Sequence, residues 1–413
     1  MIVIKYLWYY SFWFIVRIGL RLYYSKVKVT GLENIPKNTP IIFGSNHENA
    51  FIDALLITTS NTRFDHYLVR AGVFNNPIAK AFFNSLNLMP VYRAQDGVNP
   101  LEANKQIFKA CFEALAKKYA VMLFPEGEHN LRRHRRVLKK GISRIALGAV
   151  NFEGGAQEVS VVPVGVNYSD HLGFRSTVHI VFGKPIIVKK QEENAENYNK
   201  LTAQFAEALS QVHVSLDRKE YVGLDAIFFH DQKAHELINP ERINEAARKL
   251  SGKTDDIHEI AEQKNDLEEK GMSFPFRPVT PGEKLAMLLL APLALIGLLV
   301  NLPVLLPVYL FVKTRVKEAE FVASLKFGFS LLGFCIWWWH LSGWAYDYTS
   351  QWPVAVLSIG VSFISLVSLN GFIRKWKRFQ LTRLLSSDEE VKSMYLSFVE
   401  KVDEIRNGLF PNR

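Results

Sequence analysis

The chain has 413 residues, of which 48% are hydrophobic and 13% aromatic, and it carries a formal net charge of +10. The length suits one large domain with attachments or two domains. The two cysteines, Cys111 and Cys335, exclude a disulfide framework and a cysteine-rich zinc site, so a reduced, cytosol-facing catalytic part is expected. The positive charge favours an anionic partner, namely a phospholipid surface, a phosphorylated substrate or nucleic acid. Ordinary solubility combined with positive-inside topology explains the same charge.

Residues 1–24 predict a helix that lies in the membrane interface. Their apolar stretch, residues 6–16, is bounded by Lys5 and Arg17. It is too short to cross a bilayer as an ordinary helix, and no small-residue cleavage site follows it. A buried helix of the catalytic domain is the alternative. The aromatic side chains that suit headgroup depth are Trp8, Tyr9, Tyr10, Trp13 and Phe14.

Residues 25–213 alternate short apolar runs with helical patterns, which predicts an α/β layer fold. In such a fold, ligands usually bind beyond the ends of the strands. Helices are predicted at residues 101–118 and 138–150. Strands are predicted at residues 41–45, 120–124, 160–166 and 178–183, and a further short strand is closed by Arg93.

The remaining chain divides into three further segments. Residues 214–282 predict a helical extension, with helices at 240–250 and 255–270, that ends in a proline-rich linker. Residues 283–378 predict a membrane domain, because the apolar runs 327–346 and 352–373 are each long enough to cross a bilayer. Residues 379–413 predict a cytosolic helical tail.

The charges that flank the apolar runs predict the topology. Basic flanks at residues 313–317 and 374–378 are both expected in the cytosol by the positive-inside rule. The first apolar run, residues 285–312, must then begin and end on the cytosolic side, which predicts a re-entrant hairpin that turns at residues 301–303. A single tilted crossing is the alternative, and it leaves one basic flank outside.

A histidine follows the first predicted strand, with an aspartate a few residues further on. Acyl transfer to an alcohol needs such a pair, because a hydroxyl is a weak nucleophile until a base removes its proton. Histidine has the pKa range for this task, and a carboxylate on its other ring nitrogen fixes the tautomer. His47 and Asp53 are therefore candidates for the base and its partner. Helix capping by Asp53 and a structural His47 explain the pair about as well.

The second group of candidates follows the strand at 120–124. Residues 124–127 read Phe-Pro-Glu-Gly, and a basic run comes directly after them. Such a run at a strand end suits a phosphate or a coenzyme-type anion, although as a charge run alone it more often marks a solvated or lipid-contacting face. No helix-turn-helix or RNA-binding signature accompanies it, and the spacing of His129 and His134 makes a poor metal site. The basic run contains Arg132, Arg133, Arg135, Arg136, Lys139 and Lys140.

Four blocks occur in one order: Asn46-His47 with Asp53, Arg93, Phe-Pro-Glu-Gly at 124–127, and Val162-Pro163. In this combination the chain resembles the glycerophosphate/lysophosphatidate acyltransferase superfamily over roughly residues 25–215. The resemblance implies a twisted mixed sheet flanked by helices, with an N-terminal interfacial helix and C-terminal transmembrane helices. Five residues separate His47 from Asp53, where four are usual, and the longer spacing is similar to that of fungal-type glycerol-3-phosphate acyltransferases.

By this resemblance, His47 is the general base and Asp53 its partner, with Glu48 as the reserve partner. The implied reaction moves a fatty acyl group from acyl-CoA or an acyl carrier protein thioester to glycerol 3-phosphate or 1-acylglycerol 3-phosphate, at the cytosolic face of an inner membrane. No cofactor, metal or nucleic acid is expected. Phospholipid remodelling by acyl exchange and a catalytically silent lipid-binding protein are the alternatives. The residues expected to bind substrate are Asn46, Arg93, Glu126, Gly127, Arg132, Arg133 and Lys139.

Overall fold

The computed structural model describes residues 2–93, 96–134, 136–232 and 236–410. The chain forms two compact units. The first contains Met1–His171, Thr177–Ser215 and Leu237–Asn244, and the second contains Leu172–Ser176, Leu216–Glu236 and Glu245–Arg413.

The first unit is an α/β layer built on one mixed sheet. Its strands are β1 (Lys26–Thr30), β2 (Ile41–Ser45), β3 (Asp65–Arg70), β4 (Leu88–Val91), β5 (Ala120–Leu123), β6 (Glu158–Tyr168), β7 (Thr177–Phe182) and β8 (Ile186–Lys189). They follow the order β1-β7-β6-β2-β5-β3-β4, with β8 also paired to β6. The pairs are parallel except those of β6 with β7 and with β8. The expected mixed sheet with flanking helices is confirmed.

The helices of the first unit are α1 (Ile2–Tyr23), α2 (Ala50–Ser60), α3 (Pro77–Ser85), α4 (Pro100–Ala103), α5 (Lys105–Ala116), α6 (Gly141–Asn151) and α7 (Ala195–Val212). The single helix predicted at 101–118 is thus two helices that meet at Asn104. The buried Asn104 side chain exchanges two hydrogen bonds with the backbone of Tyr92, which directly follows β4. This asparagine competes with the helix for backbone partners, as its short polar side chain favours.

The central strands are apolar on both faces because helices cover both of them. Ile42 belongs to a core formed with α5, α6 and α7, where Gly44 leaves room for Phe205. Side chains alternate along a strand, so Phe43 faces the opposite side and packs on Phe182. Pro163 lies inside the central strand β6, where the antiparallel partner changes from β8 to β7. A missing N–H is tolerated at such a break in the ladder.

Helix α1 has a buried side and an exposed apolar side. Val16 and Leu20 are each 2% exposed and pack inside the unit. Tyr9 is also buried and shares a hydrogen bond with Tyr67, so its predicted place at headgroup depth is wrong. The exposed side carries Val3, Ile4, Leu7, Phe14, Ile15 and Ile18.

The longer secondary-structure elements of the second unit, over its described residues, are all helices. The helices of the second unit are α8 (Tyr221–Phe229), α10 (Thr254–Glu269), α11 (Pro281–Arg315), α12 (Ala319–Thr349), α13 (Trp352–Ser387) and α14 (Glu389–Leu409). The residues of α9 (Pro240–Leu250) are divided between the two units. The helices predicted at 240–250 and 255–270 are confirmed. Three helices, α11, α12 and α13, are long and apolar enough to cross a membrane.

Helix α11 corrects the predicted re-entrant hairpin. The chain is helical through residues 301–303, with Pro292, Pro303 and Pro307 inside one helix of 35 residues. Prolines are tolerated in such helices where neighbouring helices compensate for the lost backbone bonds. Here Asn301 is buried and bonds to Ser362 of α13 through both its amide nitrogen and its oxygen. Asn301, the first residue of the expected turn, therefore takes part in a helix–helix contact.

Candidate active site

The His47 side chain lies just beyond the carboxyl end of β2 and is paired with Asp53. The imidazole Nδ1 lies 2.9 Å from Asp53 Oδ2. A carboxylate oxygen only accepts hydrogen bonds, so Nδ1 carries the hydrogen and Nε2 keeps its lone pair. The part of the chain that the structure describes offers Nε2 no hydrogen-bond partner. A ring held in this way can accept a proton from a bound hydroxyl.

Asp53 is fixed in the first turn of α2 by donors from three directions. Its Oδ2 accepts hydrogen bonds from the backbone nitrogens of Glu48 and Asn49 at 2.9 and 2.8 Å. Its Oδ1 accepts one from the Tyr168 hydroxyl, and the carboxylate is fully buried. Between His47 and Asp53, α2 begins at Ala50, whose φ is 40°. Non-glycine residues rarely adopt such a φ, which is found mainly where the surrounding structure imposes it.

The His47 ring is held by stacking yet remains accessible. Phe124 stacks on it with a centroid separation of 3.9 Å and an interplanar angle of 11°, and the side chain is 16% exposed. Phe124 begins the Phe-Pro-Glu-Gly turn, so the structure brings the first and third sequence blocks into direct contact.

Glu126 and Arg136 both form hydrogen bonds with the backbone of His47. Glu126 Oε2 accepts a hydrogen bond from the His47 N–H at 3.1 Å and forms an ion pair with Arg136. Arg136 Nη1 also donates to the carbonyl of His47 at 2.8 Å, and Nη2 donates to the carbonyl of Asn130 at 2.7 Å. Burial raises the pKa of Glu126 to about 8, and the Arg136 guanidinium opposes this rise. The Glu126–Arg136 pair therefore connects the loop that contains His47 to the Phe-Pro-Glu-Gly turn.

At Gly127, the same turn lies next to two basic side chains, those of Arg93 and Lys139. Its φ of 74° is one that glycine adopts without strain. Arg93 Nη1 donates to the Gly127 carbonyl at 2.9 Å, whereas its buried Nε has no hydrogen-bond partner among the described residues. Lys139 runs beside the glycine, since a Cβ on Gly127 would lie 3.4 Å from Lys139 Cγ. Arg93, Gly127 and Lys139 thus come together as candidate ligands for an anion.

The other predicted substrate ligands lie in different surroundings. Asn46 is 1% exposed, and its amide nitrogen and oxygen both bond to the backbone of Val166 in β6, so it aligns two strands. Arg133 is 9% exposed and donates to the carbonyl of Tyr168. Arg132 is exposed at the surface, and Arg135 lies outside the described residues. The apolar Val162-Pro163 block is buried within the central strand.

Glu48 does not act as the reserve partner of His47. Its carboxylate instead meets His171 Nε2 at 2.7 Å. Burial raises the pKa of Glu48 to about 8, against the opposing charge of Arg133. The buried pair fixes the peptide that follows His47 and leaves Asp53 as the carboxylate that contacts the imidazole.

Tyr168 was not assigned a role from the sequence, and Arg136 was considered only as a member of the basic run. Tyr168 ends β6, which runs parallel to β2 in direct pairing. Neighbouring parallel strands end at the same edge, so a hydroxyl at the end of β6 is within reach of the loop after β2. Arg136 lies in the basic run, and the run itself does not reveal which guanidinium turns inward.

The chain is similar in sequence to known acyltransferases. Residues 26–167 match the family model described as Acyltransferase. The chain is 36% identical over 85 residues to glycerol-3-phosphate O-acyltransferase 2 of Saccharomyces cerevisiae, and 34% identical over 85 residues to glycerol-3-phosphate O-acyltransferase 1 of the same yeast. Each match covers 21% of this chain and 11% of the yeast enzyme.

Among solved structures, the chain is similar to the 1-acyl-sn-glycerophosphate acyltransferase PlsC of Thermotoga maritima. The identity is 22% and the TM-score 0.35, over 47% of this chain and 75% of that one. The fold, the paired His47 and Asp53 and the family match define residues 26–167 as an acyltransferase domain. The chain thus carries a domain that matches the Acyltransferase family and is similar, over 85 residues, to the glycerol-3-phosphate acyltransferases of yeast.

Proposed function

We propose that the chain is an O-acyltransferase that moves a fatty acyl group from acyl-CoA or an acyl carrier protein thioester to a hydroxyl of glycerol 3-phosphate or 1-acylglycerol 3-phosphate. The observation that supports this most directly is the His47 imidazole, tied to buried Asp53 at 2.9 Å and open at Nε2. An imidazole with that arrangement needs no protein nucleophile, because the attacking oxygen belongs to the acceptor.

In the proposed reaction, Nε2 of His47 takes the proton from the acceptor hydroxyl as its oxygen attacks the thioester carbonyl. The carbon–sulfur bond then breaks, and the departing sulfur receives the proton back from His47, so the products are an ester and a free thiol. Asp53 stabilises the imidazolium while it exists. General base catalysis of this kind contributes about 10²–10⁴-fold to the rate.

Arg93 and Lys139 are proposed to hold the phosphate of the acceptor. Arg93 already contacts the Phe-Pro-Glu-Gly turn and has no hydrogen-bond partner for Nε among the described residues, and Lys139 lies beside Gly127. A guanidinium offers several parallel donors to a phosphate. Arg132 is exposed and is proposed to meet the outer part of a substrate or the donor. We propose that Asn46, Glu126 and Arg133 support the site through their hydrogen bonds to the protein backbone.

The membrane setting suits a reaction whose acyl product partitions into lipid. Three apolar helices indicate membrane association. We propose that the chain resides in an inner or cytoplasmic membrane with the acyltransferase domain, residues 25–213, facing the cytosol. The proposed plan has an interfacial helix at 1–24, a helical extension at 214–282, a membrane domain at 283–378 and a cytosolic tail at 379–413.

One assay tests the proposal. The purified full chain is supplied with glycerol 3-phosphate, dihydroxyacetone phosphate and lysophosphatidate in parallel, each with CoA and carrier-protein thioesters. We expect thiol release and ester formation with at least one phosphorylated acceptor, and loss of both in His47→Ala. Ester formation from a phospholipid donor without any thioester would favour acyl exchange instead. No transfer under any condition would favour a silent lipid-binding protein.

A further inference from the structure

A cavity of the first unit lies away from the catalytic pair. It has a volume of about 250 Å³ and lies among α1, β1 and the end of α2. Thr59 and Ser60 line it from the last turn of α2, whereas Asp53 sits in the first turn of that helix. At 1.5 Å per residue, these ends are about 9 Å apart along the helix. Nothing in the proposed reaction uses this cavity.

Two guanidinium groups line one side of the cavity without a counterion. Arg17 donates to the backbone carbonyl of Thr59 at 3.0 Å and lies over the Trp13 ring at 4.8 Å. Arg21 stands one helical turn further along α1. Across the described residues, neither arginine pairs with a carboxylate. Burial lowers the pKa of Arg17, and the nearby positive charge of Arg21 lowers it further. The second effect is expected for two like charges with no anion between them.

The remaining wall is apolar and open to the surface. Leu20 and Leu56 form its buried part, and Leu32, which is 47% exposed, stands at its edge. Next to the arginines, α1 exposes Phe14 and Ile18. The cavity therefore combines fixed positive charge, a free hydroxyl at Ser60 and apolar surface that continues onto the exposed side of α1.

We propose that this cavity binds the phosphate of an anionic membrane phospholipid, with the guanidinium groups of Arg17 and Arg21 on the phosphate and the start of an acyl chain along Leu20, Leu32 and Leu56. Charge-assisted bonds from two arginines suit a phosphate oxygen pair. A free phosphate would use the arginines but leave the apolar wall exposed to water. The continuous apolar surface from the cavity to Phe14 and Ile18 therefore favours a lipid.

A photoreactive lipid tests this site in the full chain. Phosphatidylglycerol with a diazirine near its headgroup is added to the purified protein, with the matched phosphatidylcholine as the neutral comparison, and the adducts are mapped by mass spectrometry. Phosphatidylglycerol is chosen because it is neither a proposed substrate nor a proposed product. We expect adducts on residues 17–32 and 56–60 with phosphatidylglycerol and about tenfold fewer with phosphatidylcholine.

Three variants separate the cavity from general surface charge. Arg21→Gln is expected to reduce those adducts about tenfold, and Leu32→Trp, which fills the edge without a charge change, is expected to reduce them similarly. Lys28→Gln removes an exposed positive charge from the same strand β1 outside the lining, and should change nothing. Equal loss in Lys28→Gln, equal labelling by both lipids, or complete competition by inorganic phosphate at 10 mM would each overturn the proposal. Melting curves confirm that the compared variants are folded.

Discussion

Glu126 Oε2 lies 3.1 Å from the backbone nitrogen of His47, across 79 residues of sequence, so the third sequence block holds the main chain of the first. Arg136 closes the link by pairing with Glu126 and donating to the carbonyl of His47. The glutamate of the Phe-Pro-Glu-Gly turn thus uses its carboxylate within the protein. Its part in the proposed reaction is to position the base.

Arg136→Lys should lower kcat and leave the acceptor KM nearly unchanged. A lysine ammonium is a point charge and cannot reach Glu126, the His47 carbonyl and the Asn130 carbonyl together as the planar guanidinium does. Steady-state kinetics with the acceptor varied measures the split, with a reduction in kcat of about 10- to 100-fold expected from a misplaced base. A raised KM with unchanged kcat would instead mean that Arg136 contacts the acceptor.

Arg93→Ala should give the opposite pattern, with a raised acceptor KM and a smaller change in kcat. Its Nη1 holds the Gly127 carbonyl while Nε is unused, and removal of a charged hydrogen-bond donor costs about 1.5–3 kcal/mol, or about 10- to 100-fold. Lys140→Ala is the matched control, since Lys140 is an exposed cation of the same basic run. Equal KM changes in both variants would argue against a specific phosphate contact.

Asp53→Asn should reduce kcat by about 10²–10⁴-fold, because an amide cannot accept from His47, two backbone N–H groups and Tyr168 in the same way. Tyr168→Phe removes one donor only and should cost about tenfold. The melting temperature is measured alongside kcat to separate loss of activity from loss of the fold. A larger defect in Tyr168→Phe than in Asp53→Asn would be inconsistent with this arrangement.

Asp65 should make the first unit less stable as the pH rises. Burial raises the pKa of this carboxyl from 3.8 to about 7, and one of its oxygens is buried without a partner among the described residues. The raised value favours the protonated form, so this stabilisation is present below about pH 4 and is lost as the pH rises through about 7. Each pH unit between these values is worth about 1.4 kcal/mol.

The measurement is the melting temperature at pH 5 and pH 8. Asp65→Asn stays neutral, so the difference between variant and wild type should shift in favour of the variant at the higher pH. Glu153→Gln, at an exposed turn position, supplies a control that should show no such shift. A constant difference between Asp65→Asn and wild type would contradict the assignment.

Local patterns in the sequence reveal much of the first unit. Strand β2 was predicted with its observed bounds, and β5, β6 and β7 within a few residues, since each is an apolar run that ends in turn residues. The strands at Lys26–Thr30, Asp65–Arg70 and Ile186–Lys189 were not predicted, because each is short and is defined by pairing with distant partners. Long-range pairing leaves little trace in a single sequence.

The site was predictable in its residue types and less so in their contacts. The pairing of His47 with Asp53 was predicted from the motif, and the two side chains are in contact across the five-residue gap. Asn46 carries no sign that its amide will bond to Val166. The hairpin predicted at 301–303 is wrong because it was inferred from the charges that flank the apolar runs, which do not determine whether the chain between them stays helical; α11 continues through these residues, and Asn301 bonds to Ser362.

The most direct test of the central claim is the single-turnover rate of ester formation by purified full-length His47→Ala, with saturating thioester and acceptor. The account predicts a rate at least about 10²-fold below that of the wild type in a protein with an unchanged melting temperature. A folded His47→Ala variant that forms ester at the wild-type rate would contradict it.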